Sequence, residues 1–185
     1  MSLPHALLGL INYQPETGYE LKARFESSIH FFWNATLPQI YRTLNDLMAE
    51  NYVTMDVVVQ ENRPNRKVYS ITPSGQAELR RWLQMPPPLQ APRSAGLIQV
   101  FFAGQLSNDE ILQKFQMVAD YCRQTLEVYQ AISNETIAEY EEEVGPREAF
   151  CWNLTVDLGL RSVQAQLEWA ENVIKQIKRG KLPAE

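Results

Sequence analysis

Apolar positions recur at helical spacing along most of this chain and give way to a β-branched run only near residues 53–59. Residues 3–13 (LPHALLGLINY) are mostly apolar and predict a buried first helix, with Pro4 tolerated in its first turn. Pro15 and Gly18 interrupt it. Thr17 followed by Glu20 has the pattern of a capping box that opens a second helix. Leu21, Phe25 and Ile29 then fall on a single face. After the aromatic run His30-Phe31-Phe32-Trp33, Asn34 or Thr36 caps a third helix, with Pro38 in its first turn. There Leu37, Ile40, Leu44, Leu47 and Met48 make an apolar stripe, and Gln39, Arg42, Thr43 and Asp46 lie opposite. Val53–Val59 reads as a strand, with Val68–Ile71 as its antiparallel partner across a turn at 62–66. Thr72-Pro73 starts a helix that runs to about Gln84, with Ala77, Leu79, Trp82 and Leu83 available for packing.

Met85 to Pro92 carries four prolines and marks a semi-rigid connector. The expected organisation is a first domain over 1–84, a connector over 85–93 and a helical domain over 94–185. Residues 94–104 form an apolar helix in this reading. Ser107 and Glu110 are a second capping box, opening a long helix through residue 144. Pro146 restarts the chain in a last helix to about Arg179, where Gly180 stops it. Apolar positions on the long helix repeat every eleven residues, as in Phe115, Leu126 and Ile137, which gives a nearly straight stripe. Trp152, Val156, Leu160, Val163, Leu167, Ala170, Ile174 and Ile177 offer a matching face on the last helix. The apolar area left over on both helices calls for a second copy of the chain.

Charge divides unevenly. The net charge is -5. Residues 1–84 hold eight Lys/Arg and eight Asp/Glu, whereas residues 85–185 hold nine and fourteen. The acidity belongs to the second half. The first half is neutral overall but places Arg63, Arg66 and Lys67 together at one turn, a local patch suited to phosphates. No apolar run reaches the roughly 20 residues of a membrane helix, and no signal peptide opens the chain, so a cytoplasmic protein is expected. Cys122 and Cys151 have neither metal nor redox spacing and read as free thiols packed in helices.

The order helix, helix, strand, basic turn, strand is the layout of a winged helix-turn-helix, whose second helix enters the major groove of DNA. The expected fold is mainly α with a small β wing, followed by a long-helix dimerisation domain. In the third helix Gln39 suits adenine and Arg42 suits guanine, although any solvated helix face carries such residues. Tyr41 can donate to a backbone oxygen or serve as a half-buried core tyrosine. Arg63, Arg66 and Lys67 make a wing that contacts phosphates, or simply a solvated turn. Tyr19 and Lys22 on the second helix and Asn34 and Thr36 ahead of the third complete the expected DNA-contacting set. Catalysis finds no support: His5 and His30 sit among apolar residues without a nucleophile and read as core histidines, and Glu139, Glu141, Glu142 and Glu143 read as a solvated face rather than metal ligands. Neither cofactor nor metal is called for. Phe101, Phe102, Trp152 and Trp169 are large aromatics that line a small-molecule pocket or form plain core.

His5-Ala-Leu-Leu-Gly-Leu10, Thr17-Gly-Tyr-Glu-Leu-Lys22, Phe32-Trp33, Gln39-Ile-Tyr-Arg-Thr-Leu44, Arg66-Lys-Val-Tyr69 and Thr72-Pro-Ser-Gly75 occur in that order over residues 3–84. In this combination the chain resembles the PadR family of bacterial transcriptional regulators. The connector and long helices look like its second subfamily, which includes virulence activators of the AphA type. The resemblance implies a homodimer held by the C-terminal helices, bound to double-stranded DNA at an inverted repeat. A repressor responsive to a small aromatic effector is the expectation. The turn after the third helix commonly carries glycine in that family. Here it is Ala49-Glu50-Asn51, and Asn tolerates the left-handed conformation. The other reading of the first domain is a winged-helix adaptor that binds a protein and no specific DNA.

Overall fold

Side-chain caps set where most of the helices begin. Thr17 Oγ1 accepts the Glu20 N–H, and the Glu20 carboxylate accepts the Thr17 N–H at 2.8 Å, closing the capping box at the head of α2 (Gly18–Ser27). Ser107 and Glu110 do the same for α6 (Asn108–Gln130). The computed structural model describes residues 2–29, 32–59, 65–86, 94–132 and 140–183. It divides into two compact units, residues 1–89 and 90–185.

The first unit runs α1 (Leu3–Tyr13), β1 (Glu16–Thr17), α2, α3 (Leu37–Ala49), β2 (Val53–Val58), β3 (Arg66–Ile71) and α4 (Pro73–Leu83). Leu7, Leu8, Ile11, Leu21, Phe25, Ile40, Leu44 and Leu47 are fully buried where α1, α2 and α3 meet. Three antiparallel strands stand in the order β1-β3-β2, with Val53 opposite Ile71 and Val58 opposite Arg66. The small strand β1, absent from the sequence reading, pairs Glu16 with Tyr69 and Thr17 with Val68. Two residues carry no periodicity, so only the long-range ladder reveals it.

A tight knot joins α3, β2 and α4. Asn51 takes a φ of 59°, the left-handed conformation expected of it. Its carbonyl accepts the hydroxyls of Thr72 and Ser74, each at 2.7 Å. Gly75 lies so close that an added Cβ would stand 2.2 Å from the Tyr52 carbonyl oxygen. His5 clasps α1 to α4 instead of sitting in the core: its ring stacks on Trp82 at 4.6 Å, and its Nε2 lies 3.0 Å from Glu78. His30 falls outside the described residues, and Phe32 and Trp33 beside it are exposed.

The second unit holds α5 (Ala95–Phe101), a 3-10 turn (Ala103–Gln105), α6 and α7 (Pro146–Lys178). The expected single helix through residue 144 ends at Gln130, where Ala131 caps it. The β-branched Ile132 follows, a poorer helix former, and residues 133–139 lie outside the described residues. Residues 140–144 are helical again, and Gly145, at φ 96°, separates them from Pro146 at the head of α7. Ile111, Phe115, Ala119, Cys122 and Leu126 of α6 bury against Leu167 and Ala170 of α7. Phe115 meets Trp169 while Tyr129 lies against Gly159, so the two helices run in opposite directions. Cys122 is buried in this seam, but Cys151 is exposed, contrary to the expectation that both thiols pack. Among the described residues no helix is long and apolar enough to cross a membrane.

Candidate nucleic-acid interface

Helix α3 is held by one face and presents the other. Ile40, Leu44 and Leu47 are buried, while Gln39, Arg42 and Asp46 are exposed. Thr36, rather than Asn34, is the cap. The Gln39 Oε1 accepts the Thr36 N–H at 2.8 Å and the Thr36 hydroxyl at 3.0 Å. This commits the oxygen of Gln39 and leaves its amide hydrogens for an outside partner. A bidentate adenine contact, which needs both ends of the amide, would first have to open the cap. Arg42 makes no side-chain hydrogen bond or ion pair among the described residues, so its five donors are available. Asn34 is exposed just ahead of the helix.

Two tyrosines line the junction of α2 and α3. Tyr19 is largely exposed and meets the half-buried Tyr41 edge-on, with centroids 6.3 Å apart. Burial, and then Tyr19, push the Tyr41 phenol above its ordinary pKa, so it stays a hydrogen-bond donor at neutral pH. Gly18 permits this packing, because a Cβ there would stand 2.5 Å from the Tyr41 ring. Lys22 is turned inward: its ammonium donates to the Ala35 carbonyl at 2.9 Å and pairs with Glu26 at 2.8 Å. It fixes the segment between α2 and α3.

At the root of the wing, acids and bases alternate. Glu16, only 4% exposed, pairs with Arg24 of α2 at 2.6 Å. Glu20 pairs with Arg66, the first residue of β3. The Thr17 backbone N–H, above all, and the Arg66 guanidinium hold the Glu20 carboxyl below its ordinary pKa against the opposing effect of burial. Lys67 is exposed and makes no ion pair among the described residues. Arg63 lies outside the described residues. Sequence reasoning missed Glu16, Glu20 and Arg24 as members of this cluster. Their spacing of four was visible, but Glu16 precedes the helix, and its partner could not be read from periodicity.

The four aromatics of the second unit are not brought together. Trp169 lines a groove of about 890 Å³ between α5, α6 and α7, together with Leu97, Val100, Met117, Tyr121 and Cys122. Phe101 and Phe102 are exposed, edge-on to each other at 5.0 Å, and do not line it. Trp152 lies 4.7 Å from Tyr140, and its buried indole N–H finds no acceptor among the described residues.

Two family models divide the chain between them. The transcriptional regulator PadR-like family matches residues 7–81, and the virulence activator alpha C-terminal family matches residues 92–178. The protein "Probable transcriptional regulator Rv1176c" of Mycobacterium tuberculosis is 34% identical over 188 residues, covering 96% of this chain and 98% of the relative. Bacillus subtilis PadR, solved in complex with operator DNA, superposes with a TM-score of 0.82 at 24% identity, covering 96% of this chain and 99% of that one. It has also been solved in complex with p-coumaric acid, with a TM-score of 0.76 at the same identity and coverage. The Vibrio cholerae virulence activator AphA superposes with a TM-score of 0.73 at 27% identity, again covering 96% and 99%. With a capped, outward-facing α3 on a helical core and a small β wing beside it, the chain belongs to the PadR-like family of transcriptional regulators.

Proposed function

We propose that the chain represses transcription as a homodimer that sets the exposed face of α3 in the major groove of an inverted-repeat operator. The observation that carries this reading is Arg42, exposed and without a side-chain partner among the described residues, on a helix whose opposite face is pinned in the core. Tyr19, Asn34, the amide of Gln39 and the Tyr41 hydroxyl are the further contacts in this reading, with Thr36 fixing the start of the helix. Lys67 and Arg63 supply wing charge. A regulator of this kind meets its DNA in the cytoplasm. Repression is favoured by the likeness to the "Negative transcriptional regulator PadR" of Bacillus subtilis, 24% identical over 185 residues.

The helical unit supports the dimer. Leu97, Ile98, Phe101, Phe102, Leu154 and Leu158 are each more than half exposed, which leaves apolar area in water at roughly 25 cal/mol per Å². A partner copy covers it. An inverted-repeat operator asks such a dimer to hold its two copies of α3 about 34 Å apart, one turn of the duplex. A small aromatic effector is the second ligand of this reading, because PadR has been solved with p-coumaric acid and Trp169 lines an apolar groove here.

Electrophoretic mobility shift with the DNA upstream of its own gene, at low and moderate salt, tests the proposal. A discrete complex that survives competition by random-sequence duplex is expected. Equal binding to both duplexes, or none to either, would favour a winged-helix adaptor for a protein partner.

A further inference from the structure

Arg66 looks at first like a wing cation for DNA. Its surroundings say otherwise. Three connections close a triangle at the root of the wing. Strand β1 is hydrogen-bonded to β3, with Thr17 opposite Val68. Glu16 of β1 is paired with Arg24 of α2 at 2.6 Å. Glu20 of α2 is paired with Arg66 of β3, and the same carboxylate caps the helix through the Thr17 N–H. Each side of the triangle joins two different elements, so the corner resists shear in a way that one contact would not.

Strand alternation separates the two wing cations. Arg66 and Val68 share one face of β3, and both border the small charged cleft made with Glu16, Glu20 and Arg24. Lys67 projects to the opposite face, is exposed, and has no ion pair among the described residues.

We propose that Arg66 is a positioning residue, bound by Glu20 to hold the wing at a set angle to α2, and that Lys67 carries the phosphate contact on β3. This rests on the DNA-binding reading above. The two roles predict opposite signs for one substitution. Glu20→Gln keeps a competent residue at the third helical position of the capping box but removes a negative charge near DNA. If Arg66 were a phosphate contact restrained by Glu20, the variant would bind DNA more tightly and with a steeper salt dependence, by up to one released counterion. If Arg66 positions the wing, the variant binds more weakly, by up to about fivefold for a half-exposed pair, with an unchanged salt slope.

The test measures affinity of the full chain for the duplex upstream of its own gene across a salt series, for the parent, Glu20→Gln, Arg66→Gln, the double variant and Lys67→Gln. We expect Glu20→Gln, Arg66→Gln and their double variant to weaken binding to a similar extent, with slopes like the parent's. Lys67→Gln alone lowers the slope by about 0.9. Additive losses, or a slope reduced by Arg66→Gln, would overturn the assignment. Amide hydrogen exchange without DNA gives an independent reading. Residues 16, 17, 68 and 69 should exchange faster in Glu20→Gln and in Arg66→Gln but not in Lys67→Gln, and unchanged exchange would also overturn it. A parent that binds no DNA sinks the proposed function, while the exchange data still decide whether Arg66 is a strut.

Discussion

Replacing Gly75 with alanine should damage the first unit more than any comparably small change on its surface. The new Cβ would stand 2.2 Å from the Tyr52 carbonyl oxygen and 2.9 Å from the Ile71 side chain. Real contacts of that kind open to well over 3 Å, so something must move. The carbonyl is poorly placed to yield. It accepts the Thr72 N–H at 3.0 Å, and the neighbouring Asn51 carbonyl is held by two hydroxyls. Overpacking of this type costs about 1–3 kcal/mol, and loss of one hydrogen bond adds about 1 kcal/mol. The expected destabilisation is therefore about 2–4 kcal/mol. For a domain of this size each kcal/mol lowers Tm by about 4–8 °C. Urea and thermal unfolding, followed by Trp82 fluorescence after Trp33, Trp152 and Trp169 have been changed to Phe, would report on this unit alone. Gly9→Ala is the control of opposite sign. A Cβ there meets nothing within 4 Å, and alanine in mid-helix should stabilise by about 0.5–1 kcal/mol. A Gly75→Ala variant within about 0.5 kcal/mol of the parent, below any cost expected from overpacking, would refute the account of the knot.

Other expectations follow from the same geometry. Arg42→Ala should cost about 1–3 kcal/mol on the cognate duplex and narrow the gap to random-sequence DNA, as titration with both duplexes would reveal. Glu78 is held down to about 2 from 4.5, first by the Arg81 guanidinium and then by His5. Because its folded pKa is depressed, its contribution to stability is complete above pH 4.5 and is lost as pH falls toward 2, so Glu78→Gln should flatten the acid limb of an unfolding profile in that window. Light scattering of the full chain at micromolar concentration should give twice the 21.3 kDa protomer mass, and a well-folded monomer would remove the dimer from the proposed function.

Much of the fold was legible because it rests on contacts between near neighbours in sequence. Thr17 with Glu20 and Ser107 with Glu110 are three residues apart, and a helix start needs nothing more distant. The stripe of Ile40, Leu44 and Leu47 and the stop at Asn51 were equally local. What the tertiary structure alone decided lies at long separation. Arg66 meets Glu20 across 46 residues, and β1 exists only because β3 returns beside it. Gln39 is local to its cap, yet whether its oxygen faced DNA or Thr36 turned on a rotamer that periodicity does not specify. Likewise Phe101, Phe102, Trp152 and Trp169 all suited a pocket by type, and only packing placed Trp169 on the groove and left Phe101 and Phe102 off it. Hydrophobic pattern determines which face of an element is buried. Which residue it is buried against depends on how the faces of distant elements fit together, and that fit is a property of the folded chain.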